Sequence, residues 1–270
     1  MIIKDITKAF NEVKEKKPLV HCITNYITAN DCANVLLAIG ASPTMANSIY
    51  EVEDVLRHAS SLVLNLGTLG DNSIKTMIKA GVFANKIKVP IILDPVGVAS
   101  ISHRKEAAFE LLNNVKVNVI RGNMSEIKTL CGLKGIAKGV DSDEIIGIED
   151  SKKIAKLLSK KINSVVAITG MIDYISDGER VISIGNGNEM LTKVTGTGCM
   201  TTALIGAYLG SGNNDIVSAV SGVLSMGIAG EIAFENLKEN EGSGSYRVKI
   251  IDGIFKMNEE DFIKRGKINE

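Results

Sequence analysis

Five short apolar runs punctuate the first two-thirds of the chain. They read PLVHCI over 18–23, LVLNL over 62–66, PIIL over 90–93, KVNVI over 116–120 and SVVAI over 164–168. Each is almost continuously hydrophobic, as expected of strands covered on both faces. Between them, apolar residues fall at helical spacing and predict helices over 31–39, 54–58, 73–85, 104–113, 125–131 and 150–160. Strand–helix alternation implies an α/β fold, with a mainly parallel central sheet and helices on both faces. After Gly170 the pattern changes. Residues 173–185, DYISDGERVISIG, alternate about Asp177-Gly178 and predict a β-hairpin. A Gly/Thr-rich loop then leads into a long helical stretch from Cys199 to about Leu237, interrupted near 210–213. Residues 245–257 are expected to add an edge strand, and 258–265 a short last helix. No Pro-, Ser- or Gly-rich linker divides the sequence, so a single domain over 1–270 is expected.

Composition narrows the function. Basic and acidic residues balance at 31 each, with no basic stripe, which argues against a nucleic-acid partner. Trp is absent, leaving little for base stacking. The cysteines (Cys22, Cys32, Cys131, Cys199) form no CxxC pair, and His21, His58 and His103 are too scattered for a zinc site. Nothing suggests a disulfide framework, a signal peptide or a membrane span, so a cytoplasmic protein away from membranes is expected.

The most informative stretch is VTGTGCM over 194–200. Gly196 and Gly198 flank Thr197, and a helix begins at once. Glycines let a backbone approach an anion, and a helix N-terminus supplies free N–H groups and partial positive charge. Together they can seat a phosphate. The same pattern also suits an ordinary turn before a helix. It is not a Walker A motif, because no Lys follows the second glycine, nor a dinucleotide fingerprint, because it follows a hairpin.

A GTGC loop opening a helix resembles the anion hole of the ribokinase-like kinases. Cys199 stands where most of that superfamily carry Asp, and this variant marks the hydroxyethylthiazole kinases. The segments HCITNY (21–26), GASPTMA (40–46), NLGTL (65–69), LDPVG (93–97), RGNMSE (121–126) and AITG (167–170) resemble that family in order. The resemblance implies a ribokinase-like fold and ATP-dependent phosphorylation of hydroxyethylthiazole in thiamine biosynthesis and salvage. It implies Mg²⁺ held by Asp94 and, through water, Glu126. Arg121, Thr169 and Asn123 would contact ATP. Met45, Asn25, Gly196 and Cys199 would contact the substrate. Gly196, Thr197 and Gly198 would form the anion hole and Cys199 would accept the hydroxyl proton, its thiol pKa lowered by the helix terminus. A homotrimer with shared active sites is also implied.

Plainer readings stand beside these. Asp94 could cap the turn at Pro95. Asn123 and Glu126 could form a capping box. Arg121 could be a surface residue, Thr169 a mere strand end and Met45 a core residue. Rival functions are a hydroxymethylpyrimidine kinase, an ATP-dependent hydratase-repair enzyme, a ligand sensor on the same fold, and a redox protein using Cys199. Cys199 and the HCITN and SPTMA segments argue against the first two. Retention of Asp94, Glu126 and Arg121 argues against a sensor. No resolving cysteine lies near Cys199 in sequence.

Overall fold

The computed structural model describes residues 2–132 and 151–270. Its centre is a nine-stranded sheet in the order β2-β1-β3-β4-β5-β6-β7-β8-β9. The strands are β1 (Leu19–Ile23), β2 (Ser42–Thr44), β3 (Ser61–Asn65), β4 (Ile91–Asp94), β5 (Val119–Asn123), β6 (Val165–Thr169), β7 (Asp173–Ser176), β8 (Val181–Ile184) and β9 (Ile268–Asn269). Strands β1 to β6 pair in parallel and β6 to β9 antiparallel. All five expected strands are present, and β7 and β8 form the expected hairpin. The α/β, ribokinase-like expectation holds.

Helices cover both faces. Against one lie α1 (Ile2–Lys16), α2 (Ala29–Ile39), α8 (Thr197–Gly210), α9 (Asp215–Glu235), α10 (Ser243–Lys256) and α11 (Glu259–Arg265). Against the other lie α3 (Val52–Leu56), α4 (Ser73–Ile87), α5 (Ser102–Asn114), α6 (Met124–Cys131) and α7 (Ser151–Ile162). The expected start of α7 at Asp150 lies outside the described residues. The chain leaves β1 along one face to reach β2, then crosses to β3 along the other. This switch opens a crevice at the carboxyl ends of β1 and β3, where open α/β sheets bind ligands.

Helix α8 is hydrophobic all round, with every residue from Cys199 to Leu209 buried against α9 and the sheet. Its N-terminus therefore has a fixed position above the strand ends.

Several expectations need correction. Residues 245–256 of this stretch lie in helix α10, because Tyr246, Ile250, Gly253 and Ile254 bury at helical rather than alternating spacing. The edge strand is β9 instead. Strand β5 begins at Val119, not Lys116, which brings Arg121 and Asn123 onto the strand. Helix α9 is, by length and composition, able to cross a membrane, contrary to the expectation that no segment is. Its apolar window has a mean hydropathy of 1.7, but 89% of it is buried inside the fold, so α9 is a core helix.

Candidate active site

The site is built from the carboxyl ends of five parallel strands, β1 and β3 to β6, and the start of α8. Asp94 closes β4 and is wholly buried. Its Oδ2 accepts from Asn65 Nδ2 at 3.0 Å and from Thr202 Oγ1 at 2.8 Å. Arg121 Nη1 stands 3.8 Å from the same oxygen. Asp94 Oδ1 is buried with no hydrogen-bond partner. The side chain does not cap the turn at Pro95. Burial pushes its carboxyl up to about 6, against the opposing pull of Arg121.

Two amides hold the Cys199 sulfur. Asn25 Nδ2 lies 3.4 Å from Sγ and Asn65 Nδ2 lies 3.3 Å from it. Their orientation is fixed by backbone donors. Asn25 Oδ1 accepts from the Thr28 N–H at 3.1 Å, and Asn65 Oδ1 accepts from the Gly67 N–H at 2.9 Å. Asn25 Nδ2 also donates to Asn65 Oδ1 at 3.0 Å. Each amide thus turns its NH₂ toward the sulfur. The net effect on the thiol runs against expectation: burial first, then the charge of Asp94, raises its pKa, although the Asn65 hydrogen bond opposes this. The helix terminus alone does not hold Cys199 as a thiolate.

The GTGC loop is tight. Gly196 caps α8 at φ 90°, in the left-handed region, and a Cβ there would lie 2.5 Å from Thr28 Cγ2. A Cβ on Gly198 would fall on the Arg121 guanidinium. The loop backbone and Arg121 are therefore immediate neighbours. Arg121 also donates to Thr169 Oγ1, which makes it part of the site rather than a free surface residue.

Asn123 and Glu126 form the expected capping box of α6. Glu126 Oε2 accepts from the Asn123 N–H at 2.8 Å, and Oε1 accepts from the Gly97 N–H at 2.9 Å. Both oxygens are thus engaged by backbone. This ties α6 to the turn after β4 and suits a role through water better than direct ligation of a metal. Among the described residues, no group of three or more His, Cys, Asp or Glu gathers for a metal.

Two clefts flank this cluster. The larger, about 840 Å³, is lined by Arg121, Asn123, Thr169, Thr197, Gly198 and Asp173 among others. The smaller, about 360 Å³, is lined by Cys22, Tyr26, Met45, Thr68, Met77 and Asn47 among others. Asn25 falls in the chain between Thr24 and Tyr26 of the small cleft, and Cys199 follows Gly198 of the large one. The buried cluster of Asn25, Asn65, Asp94 and Cys199 thus includes sequence neighbours of the lining of both. No hydrogen bond joins Met45 to that cluster among the described residues.

Sequence reasoning gave no role to Asn65, Thr202, Thr28 or Asp173. Asn65 had a usable signal, as a polar residue within the apolar run LVLNL at a strand's carboxyl end. Thr202 had none, being one of several Thr in a buried helix. Asp173 was read only as the start of a hairpin. Burial pushes its carboxyl up to about 6, and it accepts from the Gly170 N–H at 2.9 Å.

The sequence profile of the Hydroxyethylthiazole kinase family matches residues 10–260. The hydroxyethylthiazole kinase of Clostridium beijerinckii is 50% identical over 268 residues, covering 98% of this chain and 97% of its own length. That of Clostridium tetani is 48% identical over 270 residues, covering 99% and 98%. The solved structure of the hydroxyethylthiazole kinase protein from Pyrococcus horikoshii superposes with a TM-score of 0.89, at 38% identity, over 98% of each chain. With a match spanning nearly every residue of the sheet, the loop and both clefts, this chain belongs to the hydroxyethylthiazole kinase family.

Proposed function

We propose that this chain is a single-domain cytoplasmic kinase that transfers the γ-phosphoryl group of ATP to the hydroxyl of hydroxyethylthiazole, a step of thiamine biosynthesis and salvage. The observation that carries the reading is the α8 N-terminus. Its GTGC loop abuts Arg121 on one side and places the amide-held sulfur of Cys199 on the other.

ATP occupies the large cleft, with Arg121, Thr169 and Asn123 toward its phosphates; a guanidinium offers several donors in a fixed fork. The alcohol occupies the small cleft. Its heterocycle packs on Met45, whose thioether suits an aromatic face, and Asn25 and Gly196 border its hydroxyl arm. The hydroxyl oxygen attacks the γ-phosphorus in line as the bond to the ADP oxygen breaks, and the hydroxyl proton passes to Sγ of Cys199 in its thiolate form, the minority form near neutral pH because the thiol's pKa is raised. N–H groups of Thr197 and Gly198 and the Arg121 guanidinium stabilise the transferring group.

The residues fit a Mg²⁺ ion. Asp94 Oδ1 is buried without a protein partner, and Mg²⁺ is commonly bound by one or two carboxylates plus waters and substrate phosphates. Asp94 would hold it directly and Glu126 through water. When bound, the ion neutralises phosphate charge.

Coupled ATP turnover tests the reading. The thiazole alcohol should stimulate ADP release, and hydroxymethylpyrimidine should not. The opposite preference would make this a pyrimidine kinase. Stimulation by neither would favour a sensor.

Cys199 carries its own expectation. Because its thiol titrates above the ordinary value, wild-type turnover should climb as pH rises through the alkaline range, whereas Cys199→Ala should lack that climb. Near neutral pH the Ala variant should run about 10²-fold slower, the low end of general-base contributions, because the loop donors survive. Cys199→Asp should be faster than the Ala variant. Parallel pH profiles for wild type and Cys199→Ala would remove Cys199 from the chemistry.

We also propose a homotrimer whose subunits share active sites. Tyr26 lines the small cleft yet is 82% exposed, and neighbouring Ile27 is 59% exposed. A second subunit would cover both and exclude water from the transfer. Light scattering should show a trimer at assay concentration. A fully active monomer would refute the shared site.

A further inference from the structure

His21 lies on β1, wholly buried, immediately before Cys22 of the small cleft. Its Nε2 is 2.7 Å from the Ala46 carbonyl oxygen, so this nitrogen carries the proton and donates it. Its Nδ1 is also buried and meets no partner. An unpaired buried acceptor costs stability that an apolar side chain of similar size would not. Burial holds the ring's pKa below its ordinary value, so the ring is neutral at physiological pH. The unpaired Nδ1 is a cost that the one bond to Ala46 must offset. What the ring supplies is a single N–H, aimed at Ala46.

Ala46 sits between Met45 and Asn47, and both of these line the small cleft. Residues 45–48 have no regular secondary structure. Among the described residues, the bond from His21 is the one side-chain hydrogen bond to residues 45–47. Strand β1, by contrast, is paired on both sides, by β2 and β3. His21 thus ties an irregular segment to a rigid one, directly beneath the cleft.

We propose that His21 is a positioning residue for the alcohol: its Nε2–H fixes the Ala46 carbonyl and so sets where Met45 and Asn47 meet the heterocycle. This rests on the reading of the small cleft as the alcohol's pocket. His21 touches neither the reacting atoms nor the nucleotide cleft, so its effect should fall on alcohol binding alone.

The test uses the full chain with His21→Leu, which removes the donor, and His21→Gln, whose amide nitrogen can reach a similar point and still donate. The Leu variant should raise KM for the thiazole alcohol about tenfold, with KM for ATP and kcat close to wild type, the pattern of lost uniform binding. Gln should restore most of the loss. His21→Met offers a second donor-free variant if Leu does not fold, as judged by circular dichroism. A folded Leu or Met variant with unchanged alcohol KM would overturn the proposal. So would equal impairment by Gln and Leu, or parallel losses in ATP KM and kcat. Met45→Ala separates the two levels of the argument. If it leaves the alcohol's KM unchanged, the reading of the cleft fails and this inference falls with it.

Discussion

Asp94→Asn should lose on the order of 10³-fold in kcat while melting no lower than wild type above pH 6, the activity figure following from removal of a preorganised charge at a phosphoryl-transfer site. The activity loss follows from geometry. Asp94 is buried beside Arg121, and its Oδ1 has no protein partner. The Asn oxygen can still accept from Asn65 and Thr202, so packing survives, but the charge does not. The stability half follows from linkage. The carboxyl titrates at about 6 when folded, above its ordinary 3.8. A raised carboxyl stabilises the fold below the ordinary value, and that contribution is lost as pH rises through about 6. At neutral pH the ionised group is therefore a cost, which Asn relieves. Thermal melts at pH 5 and pH 8, paired with turnover, check both halves. A variant that melts well below wild type at pH 8 would make Asp94 a structural residue.

Gly198→Ala should cost about 10²-fold in turnover, comparable to the loss of one donor from an anion hole, and should weaken ATP more than the alcohol. The added Cβ would sit on the Arg121 guanidinium, with Cζ and Nη2 each 3.0 Å away. Arg121 cannot step aside freely, because Thr169 accepts from it on one side and Asp94 faces it on the other. The methyl must displace either the loop or the arginine, and both belong to the proposed phosphate seat. Gly198 does not require a left-handed backbone, so the loss should come from steric displacement and not from backbone strain. Initial rates over an ATP matrix check this; wild-type KM for ATP in the variant would remove Arg121 from the nucleotide.

Five of the six parallel strands, β1 and β3 to β6, were legible because they are largely buried on both faces and read as nearly unbroken apolar runs. The hairpin was legible through Asp177-Gly178. Other elements were not. Helix α1 carries Ile2, Ile6, Ala9, Phe10 and Val13 at helical spacing, but that stretch was read only for a signal peptide. Residues 245–257 contain β-branched residues that suggest a strand, and packing against α9 and α2 decided for a helix. Strand β2 is three residues with a proline in the middle, short enough to pass as a loop.

The site divides in the same way. Gly196, Thr197, Gly198 and Cys199 announce themselves as one contiguous motif, and the Asn123–Glu126 capping box sits where the sequence places it. The cradle around Cys199 was hidden, because Asn25 lies just beyond the end of β1 while Asn65 and Asp94 end β3 and β4, and only the parallel register brings them together. The raised thiol was hidden for a related reason. A helix N-terminus is visible in sequence, whereas burial and a neighbouring carboxylate are not.

The central claim is that one phosphoryl group moves from ATP to the thiazole alcohol between the two clefts. Phosphorus NMR of the wild-type protein with Mg²⁺, ATP and equimolar hydroxyethylthiazole measures it most directly. A phosphate monoester resonance should grow in step with ADP, at one equivalent each, and Gly198→Ala should slow both together. ADP accumulating with free inorganic phosphate and no monoester, or a monoester formed only with hydroxymethylpyrimidine, would contradict the account.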